Sequence, residues 1–258
     1  MNIVVCVKQV PDTAVERTLT PEGTLDRASL DGLINELDEY AIEEGLKIAE
    51  AHGGEVTILS MGPAKASDSI RKALSMGADK AVHVLDDGLA GSDALATSAA
   101  LAAALALVGF DLVICGSEST DARTGVVPAM VAERLGVPQL TLASKVDVAG
   151  SEVTIRRVTD DGYAVVTGGL PAVVSVVEKI NEPRYPTFKG IMAAKKKPVQ
   201  TLTLADLSLD AGSVGLAGAA SWVDGFASRP PRAAGVIVKD EGDGGTKAAG
   251  FLAGRKFI

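Results

Sequence analysis

Short runs of apolar, largely β-branched residues at positions 3–10, 55–61, 80–85 and 111–115 alternate with longer stretches of a different rhythm. Runs that are apolar at nearly every position suit strands covered on both faces, as in a parallel sheet. Between them, helices are predicted over residues 36–51, 64–76 and 93–108. Ile42, Leu46 and Ala49 recur at i, i+4 and i+7 and form one apolar stripe. Ile70, Ala73 and Leu74 repeat the pattern, Pro63 suits a first helical turn, and Gly77 supplies a left-handed stop. Strand–helix alternation with short connections reads as βαβ units, and so as an α/β fold with a doubly wound, mostly parallel sheet.

The rhythm changes after about residue 139. Segments 140–148, 152–157, 164–167 and 172–177 are strand-like with little helix between them, and Gly150 and Asp160-Asp161-Gly162 supply turn residues. The prediction is an antiparallel extension of the same sheet, or a small sheet beside it. From about residue 211 the chain is rich in Gly, Ala, Ser and Pro and lacks the apolar density for a core of its own. Phe251, Leu252, Phe257 and Ile258 near its end favour an arm that docks elsewhere. The expected organisation is an α/β domain over 1–210 and an extended C-terminal arm over 211–258. No period of the repeat-protein kind is present.

Composition narrows the function. Apolar residues make up 47% and charged residues 22%, enough for a sizeable core, and the net charge of −8 argues against nucleic acid as a partner. The Ala-rich stretch 94–108 is shorter than a bilayer span and is interrupted by Thr97 and Ser98, so insertion into a membrane is not expected. The beginning Met-Asn-Ile-Val-Val-Cys lacks a secretory signal, and the only cysteines, Cys6 and Cys115, sit in apolar runs. Both features point to a reducing, cytoplasmic setting. With His52 and His83 as the only histidines and no Cys-x-x-Cys, neither a zinc site nor a nucleophilic triad is expected. His83 reads as a satisfied strand residue. The chain is built to bind rather than to transform.

The richest candidate chemistry follows the run at 111–115. Gly116, Ser117, Ser119, Thr120, Asp121, Arg123, Thr124, Gly125 and Val126 form a small polar loop before a helix predicted near residue 125. Free amides and the macrodipole make a helix N-terminus an anion site, and ligands of open α/β sheets sit beyond the carboxyl ends of strands. Glycines at 116 and 125 allow a phosphate close to the backbone, and the hydroxyls and Arg123 add donors. Equally, Thr120 or Thr124 serves merely as a helix cap. The loop matches neither Gly-x-Gly-x-x-Gly nor a Walker A pattern. Met61 and Cys6 border the same crevice, with Cys6 also readable as small core filler. Asn35 precedes a helix and reads first as an N-cap.

A second stretch runs from Asn181-Glu182-Pro183-Arg184-Tyr185 through Phe188 to Ile191-Met192-Ala193-Ala194-Lys195-Lys196-Lys197. Pro183 and Pro186 stiffen it. An aromatic, a methionine and cations on a stiff loop resemble a protein-docking surface. The plainer readings are that Tyr185 and Phe188 pack back on the domain and that Lys195, Lys196 and Lys197 are a solvated run.

Asn181-Glu182-Pro183-Arg184-Tyr185 followed by Ile191-Met192-Ala193-Ala194-Lys195-Lys196-Lys197, with Val7-Lys8-Gln9-Val10-Pro11-Asp12, Met61-Gly62-Pro63-Ala64 and the stretch 70–80, resembles the beta subunits of electron transfer flavoproteins, nearly end to end. The resemblance implies a Rossmann-like fold of the adenine-nucleotide-binding type and a heterodimer with an alpha subunit that holds most of the FAD. It implies an electron carrier, not an enzyme, taking electrons from acyl-CoA and other dehydrogenases to a quinone oxidoreductase. It further implies AMP held in this chain by Cys6, Asn35, Met61 and residues 116–124, with Thr124 and the amides of Gly125 and Val126 on the phosphate. The segment with Tyr185, Phe188, Ile191 and Met192 corresponds to the family's recognition loop, with Phe188 at the anchor position where well-known members carry leucine. Thr13 stands where some relatives carry a tyrosine near the flavin. Residues 124–127 read Thr-Gly-Val-Val where the mitochondrial type has Thr-Gly-Gln.

Two other readings stand beside this one. A bifurcating relative would hold a second FAD in place of AMP and oxidise NADH. A stand-alone nucleotide sensor of similar fold is disfavoured by the docking loop and the arm, both of which ask for a partner.

Overall fold

The computed structural model describes residues 1–227, 230–232, 234–235 and 237–258. They fall into a first unit, Met1–Asp224, and a second, Gly225–Ile258. Ser228, Arg229, Ala233 and Val236, which belong to the arm predicted from residue 211, lie outside the described residues.

The first unit is built on β1 (Asn2–Cys6), β2 (Gln9–Pro11), β3 (Gly32–Ile34), β4 (Glu55–Met61), β5 (Lys80–Val84), β6 (Leu112–Gly116), β7 (Gln139–Ala149), β8 (Glu152–Thr159), β9 (Gly162–Gly169), β10 (Ala172–Val176) and β11 (Val199–Leu202). Its main helices are α1 (Glu36–His52), α2 (Ser67–Met76), α3 (Ala94–Val108), α4 (Val127–Leu135) and α5 (Phe188–Ala194), with a single turn α6 (Gly215–Gly218). Nine strands share one sheet in the order β11-β5-β4-β1-β6-β10-β7-β8-β9. Pairing is parallel from β11 to β7 and antiparallel from β7 to β9. The doubly wound, mostly parallel sheet with an antiparallel extension is therefore the observed architecture.

Alternation along the central strands explains why both faces are apolar. Ile3 and Val5 point into one core with Ile42 and Leu46 of α1 and Leu74 of α2, while Val4 points into the other with Leu101 and Leu105 of α3. Burying such a side chain stabilises the fold by roughly 1.5–3 kcal/mol. Three acidic residues in the first turn of α1, Glu36, Asp38 and Glu39, complement its dipole. Gly45 in its middle lets it lie close on the sheet, since a Cβ there would meet Val5 at 2.9 Å.

Two expectations are corrected. The predicted strand 3–10 ends at Cys6; the chain then bends so that Gln9–Pro11 pairs antiparallel with Gly32–Ile34 in a separate ribbon. Segment 172–177 does not join the antiparallel extension. As β10 it lies between β6 and β7, parallel to both, and all five of its residues are buried. A continuous apolar run demands cover on both faces, which only an interior position supplies.

Residues 211–224 belong to the first unit, where Val214 is fully buried, Gly215 N–H donates to Ser92 Oγ (2.8 Å), and Asp93 Oδ2 accepts from the N–H groups of Ala220 and Ser221. In the second unit, α7 (Gly244–Gly254) follows a turn in which Asp240 Oδ1 accepts from Gly242 and Gly244 N–H, both at 2.8 Å. Phe251, Leu252, Phe257 and Ile258 are exposed. Among the described residues, no helix is long and apolar enough to cross a membrane.

Candidate functional site

From β1 the chain winds outward through β4 to β5, then re-enters the sheet at β6 on the other side of β1. That reversal puts the switch point of the sheet beyond the carboxyl ends of β1 and β6, the place where open α/β sheets bind ligands. Val7 and Lys8 leave β1 at this point, and residues 116–126 leave β6.

Asn35 holds the crevice together. Its side chain makes no cap bond on α1. Instead Nδ2 donates to Asp38 Oδ1 and to the Glu118 carbonyl, both at 2.9 Å, and Oδ1 accepts from Thr120 N–H at 3.1 Å. Asp38 Oδ2 accepts from Lys8 N–H at 2.7 Å. Burial pushes the Asp38 carboxyl up to about 7, although the Lys8 N–H, the Asn35 amide, the Lys8 charge and the Gly116 N–H all pull it down. Gly116 must be glycine for packing: a Cβ there would come within 2.5 Å of Asp38 Oδ1 and 2.9 Å of the Leu37 carbonyl carbon.

Asp121 is the electrostatic centre of the loop. Its side chain is fully buried and paired with Arg27 and with Lys8 Nζ (2.8 Å), which also donates to Ser119 Oγ. Burial opposes its charge, but the two cations outweigh burial and hold the carboxyl well below the usual carboxylate range. Arg17 donates to the Thr120 carbonyl at 2.8 Å and Lys65 Nζ to the Leu30 carbonyl at 2.7 Å. Residues 12–31, which carry little regular structure, are thus fastened over the loop after β6.

Neither threonine caps α4. Among the described residues that helix has no side-chain cap, begins at Val127 rather than 125, and carries Pro128 in its first turn. Thr124, Gly125 and Val126 are exposed, and Gly125 adopts φ +64°. The first N–H groups of a helix have no intrahelical partner, so these amides face solvent. Thr120 Oγ1 is buried with no hydrogen-bond partner among the described residues. It lines a cavity of about 370 Å³ together with Ser117, Arg123, Glu36, Glu118 and Glu178. Arg123 Nη1 is matched by Glu118 at 3.3 Å, so the cavity's balance is acidic. Cys6 and Met61 pack together with the α3 side of the core, away from this lining.

At the second site Tyr185 and Phe188 do not pack back: they are 90% and 81% exposed. Ile191 and Met192 are about half exposed on the same short helix, α5, which Thr187 caps by accepting from Gly190 N–H. The base of the segment is tied to α1. Arg184 grips Glu43 (2.7 Å) and Glu50 (2.6 Å), and Asn181 Nδ2 donates to Glu44 and to the Tyr40 carbonyl at 3.0 Å, all on α1. Lys195 and Lys196 are exposed, whereas Lys197 is half-buried and its ammonium donates to the carbonyls of Leu74 and Ala78 at the C-terminal end of α2.

Residues 22–207 match the electron transfer flavoprotein domain model. The chain belongs to the electron transfer flavoprotein family, as a beta subunit. It is 52% identical to the electron transfer flavoprotein subunit beta of Mycobacterium tuberculosis (strain ATCC 25618 / H37Rv), over 100% of this chain and 99% of that one. It is 38% identical to the subunit beta of Megasphaera elsdenii over 94% of this chain and 93% of that one. Identity to the acryloyl-CoA reductase electron transfer subunit gamma of Anaerotignum propionicum is 35%, over 93% and 92%.

For a beta subunit of this family, several residues that shape the site were not legible beforehand. Lys8, Arg17 and Arg27 carry no periodic signal and converge only through the fold. Arg184 and Asn181 were visible as a motif, but their partners Glu43, Glu44 and Glu50 lie more than 130 positions away. His83 behaves as expected, with Nε2 bonded to the Gly62 carbonyl at 3.0 Å.

Proposed function

We propose that this subunit binds AMP in the crevice between β1 and β6 and serves a heterodimeric electron carrier whose FAD lies mainly in the alpha subunit. The observation that carries the reading is the buried, unpartnered Thr120 hydroxyl beside exposed amides at residues 124–126. A hydroxyl left unpaired in a buried setting costs about 1–3 kcal/mol, and a bound polar ligand relieves that cost. Thr124 and the amides of Gly125 and Val126 take the phosphate, outside the acidic cavity. Asn35 and Asp121 set the shape of the loop, and Cys6 and Met61 border the crevice on its apolar side.

FAD, when bound in the partner, supplies the acceptance and release of electrons. This chain's residues provide position. The stiffened segment around Phe188 presents an apolar anchor to acyl-CoA and related dehydrogenases, and electrons pass on to a quinone oxidoreductase. The second unit, Gly225–Ile258, supplies the arm that packs on the alpha subunit; its exposed Phe251, Leu252, Phe257 and Ile258 support this role. Catalysis by acid–base chemistry has no part in the proposal.

The test is the small-molecule content of the chain co-expressed with its alpha subunit, released by denaturation and identified by mass spectrometry. One FAD and one AMP for each heterodimer is the expected result. Two FADs without AMP would replace the simple carrier with the bifurcating, NADH-oxidising form, with residues 116–124 on the second flavin's diphosphate.

A further inference from the structure

The two cysteines lie on neighbouring central strands. β1 and β6 run parallel with Val4 beside Val113 and Val5 beside Ile114. One step further along this register Cys6 stands beside Cys115, and both pack on the same face of the sheet, towards α3. Cys115 is buried, whereas Cys6 is partly exposed where β1 opens into the crevice.

Adjacent strands lie about 4.8 Å apart, within the Cα separation of about 4.4–6.8 Å that a disulfide spans. The Cβ atoms of side-by-side residues stand wider than the ~3.8 Å of a relaxed bridge. Closure therefore requires the strand ends to draw together. Register pairing between β1 and β6 ends at Val5–Ile114, but Cys6 stays paired with Leu59 of β4 and Cys115 with Ser175 of β10, so drawing the two cysteines together pulls against both outer ladders. A bridge closed this way is strained and hence readily reduced, the property of a regulatory rather than a structural disulfide.

We propose that Cys6 and Cys115 form a reversible dithiol that hydrogen peroxide closes into a disulfide across the floor of the crevice. The Cys6 thiolate attacks one peroxide oxygen; the O–O bond breaks, the departing hydroxide takes up a proton as water, and Cys6 becomes a sulfenic acid. Cys115 sulfur then attacks Cys6 sulfur; the S–O bond breaks, and the second water leaves with the Cys115 proton. Two thiols lose two electrons in total and peroxide is reduced to two waters. Contact with Cys6 and burial raise the Cys115 thiol well above its ordinary value, which assigns attack to Cys6 and resolution to Cys115. Because Val7 and Lys8 follow Cys6, and Gly116 and Ser117 follow Cys115, closure also distorts the loop that Asn35 and Asp121 hold. The consequence for nucleotide binding rests on the function proposed above; the disulfide itself does not.

The experiment treats the heterodimer with graded hydrogen peroxide, blocks remaining thiols by alkylation in denaturant, and maps peptides without reduction. The expected product is a Cys6–Cys115 linked peptide that a dithiol reagent fully reverses. In Cys115→Ser, which lacks the resolving thiol, Cys6 should reach sulfinic acid about tenfold faster than in the wild type. The proposal is overturned if wild-type Cys6 passes to sulfinic acid as fast as in that variant, or if both thiols remain free. It is overturned equally if Cys6 bridges only to another chain. Should the variant fold poorly, the linked peptide in the wild type decides alone. AMP content read in the same samples separates the two proposals: a linked peptide in protein that never held nucleotide would sink the AMP reading and leave the dithiol standing.

Discussion

Two loops that leave neighbouring strands solve opposite problems. The loop after β6 turns its polar groups inward: Asp121 is fully buried between Lys8 and Arg27, and Asn35 spends every side-chain bond on holding Asp38, Glu118 and Thr120 in place. The segment after β10 does the reverse. Its ion pairs and amide bonds sit at the base, on α1, and lift Tyr185 and Phe188 into solvent. Both loops are tied to the same helix, at different points along it: Asn35 and Asp38 at the start of α1, Glu43, Glu44 and Glu50 further along. A polar group gains from burial only when its partners are preorganised.

The comparison breaks most severely at Gly116. Gly116→Ala forces a Cβ against Asp38 and backbone carbon of Leu37, and should lower unfolding free energy by about 3 kcal/mol, read by urea denaturation; a loss below about 0.5 kcal/mol would mean that α1 has room to move away. Next in size is Arg184→Ala, which leaves the buried Glu43 carboxylate without its cation. It should cost about 2 kcal/mol and loosen the segment around Tyr185, visible as faster amide exchange there than in the crevice loop. Equal exchange in both loops would show that the base does not fix the segment.

The pH dependence sharpens the inward-turned loop further, because its two aspartates have opposite signs. Asp121 is held below its unfolded value of about 3.9, so its contribution is present above about pH 4 and is lost as pH falls through the folded value. Asp121→Asn should therefore destabilise by about 1.5–3 kcal/mol at neutral pH, with the gap to wild type narrowing only below about pH 4. Asp38, pushed up to about 7, contributes fully below about pH 4 and loses that contribution as pH rises through 7. Wild type should accordingly weaken relative to Asp38→Asn over that window, and urea titrations at stepped pH test both signs.

The smallest effect on stability belongs to the outward-turned loop. Phe188→Ala removes an exposed ring and should change unfolding free energy by less than about 0.5 kcal/mol. Under the proposed docking role it should nonetheless slow electron transfer from acyl-CoA dehydrogenase by about tenfold or more, with heterodimer and flavin content unchanged. Loss of flavin or of the heterodimer would mean the ring is structural.

The parallel sheet was legible because continuous apolar runs and helical stripes are local signals: residues 55–61 and 111–115 carry their strand in their own composition. The split of residues 3–10 was not, since three-residue strands such as Gln9–Pro11 and Gly32–Ile34 are shorter than any periodic pattern and form only by pairing with each other. Residues 172–177 follow the hairpin strands directly in the chain, and that order masked a continuous apolar run, unlike the alternating strands before it, which fits the interior place between β6 and β7. Asn35 read as an N-cap because a residue type and a position suggest one; its true bonds reach Glu118 and Thr120, more than 80 positions away.

Sequence alone determined the fold class, the position of the polar loop after the fourth major strand, and the resemblance that the family match supports. These depend on the order of residues along the chain, which periodicity and motif read directly. Tertiary structure alone decided which polar groups became partners: that Asp121 pairs with both Lys8 and Arg27, that Lys197 caps α2, and that Cys6 and Cys115 are neighbours. Such choices are set by distances across the sheet, and electrostatic and hydrogen-bond energies fall off over a few ångströms however far apart the residues stand in the chain.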